Sequence, residues 1–110
     1  MKLVDLIAKT GYSVLSEGNN DADIKAGYTG DLLSDVMANA PSDSAFVTIQ
    51  AHKNTIAVAT LAGLRVIILC NSRTAPDDMK EAAKGESVAI LSTDKNQFIV
   101  SAEISALLNE

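Results

Sequence analysis

Aromatic residues are scarce in this chain of 110 residues, which has no tryptophan, two tyrosines and two phenylalanines. The hydrophobic core must therefore be built mainly from Val, Ile, Leu, Ala and Met. Cysteine is nearly absent as well, since Cys70 stands alone and cannot form an internal disulfide. A free thiol fits a reducing compartment, so we expect a cytoplasmic protein. At this length we expect a single domain that spans residues 1–110.

Positive charge is also in short supply, because 9 Lys and Arg residues face 14 Asp and Glu residues, for a net charge of −5. The basic residues form no run or stripe, which argues against nucleic acid as a partner. The longest uncharged apolar run, Val66–Cys70, is far shorter than the roughly 20 residues of a membrane span. The N-terminal segment is too short and too charged for a signal peptide, so we expect no membrane association.

One pattern occurs three times in the second half of the chain: an apolar strand, an abrupt polar loop and an amphipathic helix. The strands are Phe46–Gln50, Val66–Cys70 and Val88–Leu91. Strands that alternate with helices predict a largely parallel sheet, whose strand-to-helix loops collect along one edge. Open α/β folds bind their ligands at that edge, so the pattern predicts where a functional site lies.

The first half of the chain adds a helix and two further strands. Residues 2–9 have one apolar helical face and precede Gly11, which predicts a short helix. Tyr12–Leu15 and Ile24–Tyr28 are typical of strands. About 8 residues connect them, fewer than the roughly 10–12 of a parallel crossover, so they are antiparallel neighbours or not adjacent. The predicted fold class is α/β: a three-layer α/β/α sandwich with a mostly parallel, mixed five-stranded sheet.

Polar and glycine residues predict the ends of the other helices. Asp31 is expected to cap the second helix, and Asn54 to begin the third. Thr74 has the spacing of a cap for the fourth helix, which Gly85 is expected to end. The last helix is predicted to be the longest, with these apolar residues on one face: Val100, Ile104, Leu107 and Leu108. An adjoining row contains Phe98 and Ala102.

His52, the only histidine, and Lys53 follow the first of the three repeated strands and should lie at the ligand edge. His52 is a candidate general base or phosphate contact, and Lys53 a candidate anion contact. The alternative is that both are solvated loop residues. Cys70 precedes a predicted helix, where a nucleophile would need a lowered pKa, but a buried core position is the favoured interpretation.

Asn71–Thr74 is the strongest anion-binding candidate in the sequence. It offers an amide, two hydroxyls and a guanidinium just before a predicted helix N-terminus, where backbone N–H groups favour anions. The alternative is that Thr74 only caps the helix and Arg73 is solvated. Thr93 adds a hydroxyl at the end of the last strand.

Gly27–Asp31 places two glycines before a helix, but it lacks the GK[ST] ending of a phosphate-binding loop. Tyr28 could stack on a planar ligand, or the glycines could simply permit a tight turn. Asp31 and Asp35 are one helical turn apart, and a structural role is favoured over metal binding. With no Ser-His-Asp order, CxxC or HExxH motif, we expect no enzyme activity, no metal and no cofactor.

Four segments contain a further signal: Ala26–Gly30, the predicted helix Asp31–Ala40, the strand Phe46–Gln50 and the apolar strand before Asn71. Read together, they resemble the DRTGG domain family. The resemblance covers the chain from about Leu3 to Leu107 and is most specific from Ile24 through Asn54. DRTGG domains occur inside some phosphotransacetylases and CBS-containing pyrophosphatases, and resemble the N-terminal domain of HPr kinase/phosphorylase. They also occur as free-standing small proteins, some of them associated with iron hydrogenase gene clusters.

The resemblance implies a regulatory or ligand-sensing α/β domain without catalysis of its own. Two departures from the family signature stand in the strand-to-helix loops. His52 and Lys53 occupy the place of the acidic-basic pair, and Cys70, Asn71 and Ser72 occupy the place of Thr-Gly-Gly. The signature glycines are therefore missing from this chain.

Two functional hypotheses follow, ahead of a third and least favoured one, a small enzyme that uses His52 or Cys70. The first is a regulatory domain that binds a small anionic or nucleotide-like molecule at the C-terminal edge of the sheet. The second is an interaction or assembly subunit, either a homodimer or the partner of a metabolic or hydrogenase-associated complex. The predicted ligand-binding residues are Tyr28, Thr29, Gly30, His52, Lys53, Asn71, Ser72, Arg73 and Thr93.

Overall fold

Five strands and five helices alternate along the chain in a computed structural model that describes all of residues 1–110. The strands are β1 (Ser13–Ser16), β2 (Ala26–Thr29), β3 (Ser44–Thr48), β4 (Val66–Leu69) and β5 (Ala89–Ser92). The helices are α1 (Leu3–Thr10), α2 (Leu33–Asn39), α3 (Lys53–Ala62), α4 (Asp77–Glu86) and α5 (Gln97–Leu108). As predicted, α5 is the longest helix, and none of the five is long and apolar enough to cross a membrane.

The sheet is mixed, with the order β1-β5-β4-β3-β2. Strands β2, β3, β4 and β5 run parallel, and β1 pairs antiparallel with β5. The first two strands therefore occupy opposite edges, which decides between the two arrangements that their short connection allowed. Thr48, Leu69 and Ser92 are aligned in register at the ends of their strands, so the loops that follow them are neighbours.

Two apolar cores, one on each face of the sheet, confirm the predicted three-layer sandwich. Ala45 and Val47 of β3 face the core beneath α1 and α5. Phe46, between them, faces the second core beneath α2, α3 and α4. Every residue of β3 and β4 is buried, because helices cover both faces of these central strands.

Three predicted ends of the second and fourth helices are wrong. The second helix begins at Leu33 rather than directly after Asp31, whose side chain has other hydrogen-bond partners. The fourth helix begins at Asp77, so Thr74 is not its cap. A cap at Thr74 would require a helical residue directly before Pro76, a position that proline disfavours. That helix continues through Gly85 to Glu86, and Ser87 caps it with a left-handed backbone, at φ of 55°.

The third helix begins one residue before the predicted Asn54. His52 is its cap, and its Nδ1 atom accepts a hydrogen bond of 3.0 Å from the backbone N–H of Asn54. As predicted, this helix ends at Gly63, whose backbone is left-handed with φ of 73°. Phe98 has the expected place in α5, but its side chain is 79% exposed while Val100 and Ile104 are buried.

Candidate functional site

Asp31 joins three loops at the C-terminal edge of the sheet. Its Oδ1 atom accepts hydrogen bonds from Thr48 Oγ1 at 2.8 Å and from the Ile49 N–H at 3.0 Å, where β3 ends. Gln97 Nε2, at the start of α5, donates to both carboxylate oxygens at 3.1 and 3.2 Å. Gln50 Nε2 donates to the Asp31 carbonyl at 2.8 Å. The carboxylate therefore connects the β2–α2 loop, the end of β3 and the start of α5.

This environment keeps Asp31 ionised. Burial raises the pKa of Asp31, but the hydrogen bonds from Ile49, Thr48 and Gln97, together with the nearby charge of Arg73, outweigh burial and lower the pKa below its ordinary value. Asp31 has donors on both oxygens, so its role is to position the loops. The sequence predicted that Asp31 caps the second helix. The hydrogen-bond partners of its carboxylate, Thr48, Ile49 and Gln97, instead lie far away in the chain.

A polar cavity of about 460 Å³ opens beside this network, where β4 and β5 end and β1 begins. We call it the Arg73 cavity. Its lining consists of Thr10, Gly11, Tyr12, Ser13, Leu15, Ser72, Arg73, Thr74, Ser92, Thr93, Asp94 and Lys95. Ser and Thr hydroxyls predominate, and two cations face one carboxylate. Its size falls within the range of small-molecule sites.

Arg73 is the cation of this cavity that is free to bind. Of the nine basic side chains, only Lys53, Arg73 and Lys84 have no carboxylate within ion-pair distance. Lys95 differs, because its Nζ contacts Glu103 Oε2 at 2.6 Å. Arg73 is exposed to solvent, and an arginine side chain can bind a phosphate or carboxylate through two parallel hydrogen bonds.

Lys95 is held at the wall of the cavity by Glu103 of α5, which also binds Tyr12, the residue directly before β1. The Tyr12 hydroxyl and Lys95 both donate to Glu103, and these hydrogen bonds lower the pKa of the Glu103 carboxyl. Burial, followed by the hydrogen bond to Glu103, raises the pKa of Tyr12 far above its ordinary range, so it stays protonated. Nothing in the sequence spacing of these three residues indicates the cluster, which long-range packing creates.

The backbone N–H groups of Asn71 and Ser72 are not available as the anion-binding amides that the sequence suggested. The N–H of Asn71 donates to the Lys95 carbonyl at 3.0 Å, and the N–H of Ser72 donates to the Thr93 carbonyl at 2.9 Å. Helix α4 begins only at Asp77, and Asp77 and Asp78 in its first turn disfavour an anion there. Neither these two amides nor the first turn of α4 would therefore bind an anion in this cavity.

The same loop has an unusual backbone conformation. Asn71 and Ser72 both lie in the left-handed region, with φ of 57° and 58°. Consecutive left-handed residues are uncommon outside glycine, although asparagine tolerates the conformation better than serine. The two hydrogen bonds to the β5–α5 loop hold the turn in place and direct Ser72 towards Thr93.

The structure brings Ser72, Arg73 and Thr93 together in one cavity. Tyr28 and Thr29 line a different cavity of about 400 Å³, between β2 and α5. Within this cavity Thr29 Oγ1 is 2.6 Å from Ser101 Oγ. The Tyr28 side chain packs on the other face of the sheet, where its hydroxyl donates to Asp35 of α2 and lowers the pKa of that carboxyl. The predicted single site is thus divided between two regions.

The other predicted residues line neither cavity. Asn71 and Gly30 form backbone hydrogen bonds with neighbouring segments. The N–H of Gly30 donates to the Val47 carbonyl. His52 is exposed and its Nδ1 accepts the capping hydrogen bond, which favours the structural interpretation over a general base. Lys53 lies in a groove between α3 and α4.

Cys70 is fully buried in the core beneath α1 and α5. Burial, with a smaller contribution from the charge of Asp31, raises the pKa of Cys70 to about 11. A thiol in this environment stays protonated near neutral pH, which favours the core interpretation over a nucleophile. Comparison with known proteins adds no assignment: no protein-family model and no curated protein matches this chain.

Proposed function

We propose that this chain is a non-catalytic regulatory domain that binds a small anionic molecule in the Arg73 cavity. The observation on which the proposal depends most is the Arg73 guanidinium, which has no carboxylate partner and shares a polar cavity with Ser72 and Thr93. A phosphate or carboxylate group would give the guanidinium the bidentate partner that the chain itself does not supply. A nucleotide-like ligand is included because its phosphate presents the same chemistry.

The position of the cavity suggests how binding would affect the rest of the domain. Arg73 is close enough to Asp31 for its charge to lower the Asp31 pKa. An anion bound by Arg73 would weaken that attraction, and Asp31 connects the β2–α2 loop to β3 and α5. Binding would thus shift the population of conformations of these loops, as expected of a sensing domain.

The proposal includes membership of the DRTGG family and a cytoplasmic location. The left-handed backbone at Asn71 and Ser72 supports the family resemblance, since these residues stand where the family has its two glycines. A buried free thiol at Cys70 supports a reducing compartment. In such a domain the function is to bind the ligand, and no reaction is catalysed.

A thermal-shift series with inorganic phosphate, pyrophosphate and nucleoside phosphates tests the proposal. Ligand at ~100 times its Kd stabilises the folded state by about 2.7 kcal/mol, which raises Tm by several degrees for a domain of this size. We expect Arg73→Ala to reduce affinity by a factor of roughly 10 to 100, because hydrogen bonds to charged groups contribute about 1.5–3 kcal/mol.

Lys84→Ala is the matched control, because it removes another exposed cation without a carboxylate partner, outside the Arg73 cavity. It should leave the ligand-induced shift unchanged. Arg73→Lys should bind with intermediate affinity, since it keeps the charge but loses the bidentate geometry. If no anion raises Tm, or if Arg73→Ala responds as wild type does, the proposal is wrong.

A further inference from the structure

The Arg73 cavity contains more than a cation for a phosphate. Besides Arg73 and Lys95, its polar side chains are one carboxylate, that of Asp94, and a set of Ser and Thr hydroxyls. From these groups we infer that the ligand is a phosphorylated polyol, a small molecule with one phosphate and neighbouring hydroxyl groups, as in a sugar phosphate. The inference rests on the proposed function, because it takes Arg73 as the contact for the phosphate.

Asp94 is the first indication. It lines the cavity, is exposed, and has neither a cation within ion-pair distance nor a hydrogen-bond donor within the chain. A carboxylate only accepts hydrogen bonds, so it repels a phosphate group but binds hydroxyl donors. A cavity with an unpaired guanidinium and an unpaired carboxylate therefore suits a ligand with one anionic end and one hydroxylated end.

Two serines of the sheet give a second, independent indication. Ser13 of β1 and Ser92 of β5 are directly opposite each other in the antiparallel pair, so their side chains project from the same face. On that face Ile90, two residues before Ser92, is fully buried, and the apolar surface ends where the cavity begins. Neither serine hydroxyl has a hydrogen-bond partner in the chain, whereas the Thr93 hydroxyl accepts the N–H of Lys95. Two adjacent free hydroxyls match the neighbouring hydroxyls of a polyol, which both donate and accept hydrogen bonds.

The order of the strands sets the length of the ligand. Arg73 follows β4 and Ser13 begins β1, and β5 lies between these two strands. Two strand spacings amount to about 10 Å. A ligand that contacts both sides of the cavity must therefore be several atoms longer than inorganic phosphate, which a sugar phosphate is.

The cavity offers no surface on which a nucleobase could stack. Tyr12 and Leu15 are the only large apolar side chains in its lining. Tyr12 is 6% exposed, and Lys95 Nζ lies 6.0 Å from the centroid of its ring. Bases bind proteins mainly by stacking on open aromatic rings, which Tyr12 does not provide. Of a nucleotide, only the phosphate and the ribose would be bound, and the base would stay in solvent.

Isothermal titration calorimetry with three phosphate monoesters tests the inference. Methyl phosphate has the phosphate without hydroxyls, ribose 5-phosphate adds the hydroxyls, and AMP adds a base to the same ribose and phosphate. We expect ribose 5-phosphate to bind roughly ten times more tightly than methyl phosphate, because it adds hydrogen bonds to a carboxylate and to hydroxyls. AMP should bind no more tightly than ribose 5-phosphate.

Asp94→Ala should reduce the affinity for ribose 5-phosphate by a factor of about 10, because the variant loses hydrogen bonds to a charged group. Methyl phosphate should bind at least as tightly as before, since a negative charge has been removed. Asp78→Ala is the matched control: it removes an exposed carboxylate of α4 that has no ion-pair partner and lies outside the cavity lining. It should leave the preference for ribose 5-phosphate unchanged.

Ser13→Ala/Ser92→Ala should also weaken binding of ribose 5-phosphate and leave that of methyl phosphate unchanged. Its urea midpoint should equal that of wild type, because neither hydroxyl has a partner in the chain. Equal affinities for ribose 5-phosphate and methyl phosphate would overturn the inference and leave the anion site in place. So would tighter binding of AMP than of ribose 5-phosphate, or a preference that remains in Asp94→Ala. If neither monoester binds, the proposed function fails together with the inference.

Discussion

Asp31 is the residue on which the geometry of the ligand edge depends most. Its carboxylate accepts hydrogen bonds from β3 and from α5, and it occupies the place where the sequence predicts only a helix cap. Removing its charge would leave the Ile49 N–H and the Gln97 amide with weaker partners. Buried donors without good acceptors are costly, so a stability effect is expected as well as an effect on the site.

Asp31→Asn should destabilise the fold by about 1 to 3 kcal/mol at neutral pH, the contribution of hydrogen bonds to a charged group. Because folding lowers the pKa of Asp31, the stabilisation is fully present above the unfolded pKa of about 3.9 and is lost as pH falls through the folded value. Urea unfolding between neutral pH and pH ~3 measures this. The difference between wild type and variant should shrink in acid.

Asp21→Asn is the control for this measurement, since Asp21 is an exposed turn residue whose carboxylate has no hydrogen-bond partner. It should have little effect at any pH. The contrary result is a free energy of unfolding that differs between wild type and Asp31→Asn by the same amount at every pH down to acid. That result would show that the ionised carboxylate is not what stabilises the loops.

Cys70 should react very slowly with a thiol reagent in the folded protein. With a pKa of about 11, roughly one thiol in a thousand is ionised at pH ~8, and burial also blocks access. The rate of colour formation with a disulfide reagent, compared with that of the same protein in denaturant, measures this. Reaction at the rate of an exposed thiol would contradict the core assignment.

At the scale of elements, the β4–α4 loop combines backbone strain with the proposed site. Ser72→Gly should stabilise the ligand-free protein by about 0.5 to 1 kcal/mol, because glycine relieves the left-handed conformation at a smaller cost in chain entropy. Ser105→Gly, on an exposed turn of α5, should instead be destabilising by a similar amount. Urea unfolding of both variants checks the prediction, which fails if Ser72→Gly is the less stable of the two.

The strands could be predicted because their residues share one physical pattern. Apolar runs such as Val66–Leu69 are buried on both faces and end at polar residues, which identifies them without tertiary information. Helix ends were less predictable, because distant groups compete for the capping side chains. Asp31 is bound by Gln97, which is 66 residues away in the chain, and no local spacing indicates that contact.

The sequence predicted that the candidate site lies at the C-terminal edge of the sheet, but it did not predict which residues line one cavity there. Parallel topology places Arg73 and Thr93 on neighbouring loops, and both do line one cavity. The position of β1 beside β5 could not be derived from local pattern, and this pairing is what brings Tyr12 to the same cavity. The same topology places Tyr28 at the opposite edge, away from Arg73.

At the scale of the whole molecule, the Arg73 cavity and the groove between α3 and α4 lie on different parts of the fold. The Arg73 cavity opens where β4 and β5 end, and the groove is formed by two helices on one face of the sheet. Gly85→Leu, a change in the groove, should therefore leave anion binding in the Arg73 cavity unchanged.

The location of the anion is the central claim, and backbone amide shifts measured by NMR during a titration with pyrophosphate test it most directly. We expect the largest changes in residues 71–74 and 92–95 and smaller ones around Asp31, and we expect Arg73→Ala to need roughly 10 to 100 times more pyrophosphate for the same changes. Changes concentrated between β2 and α5, around Thr29 and Ser101, would contradict the account. So would the absence of any change at saturating pyrophosphate.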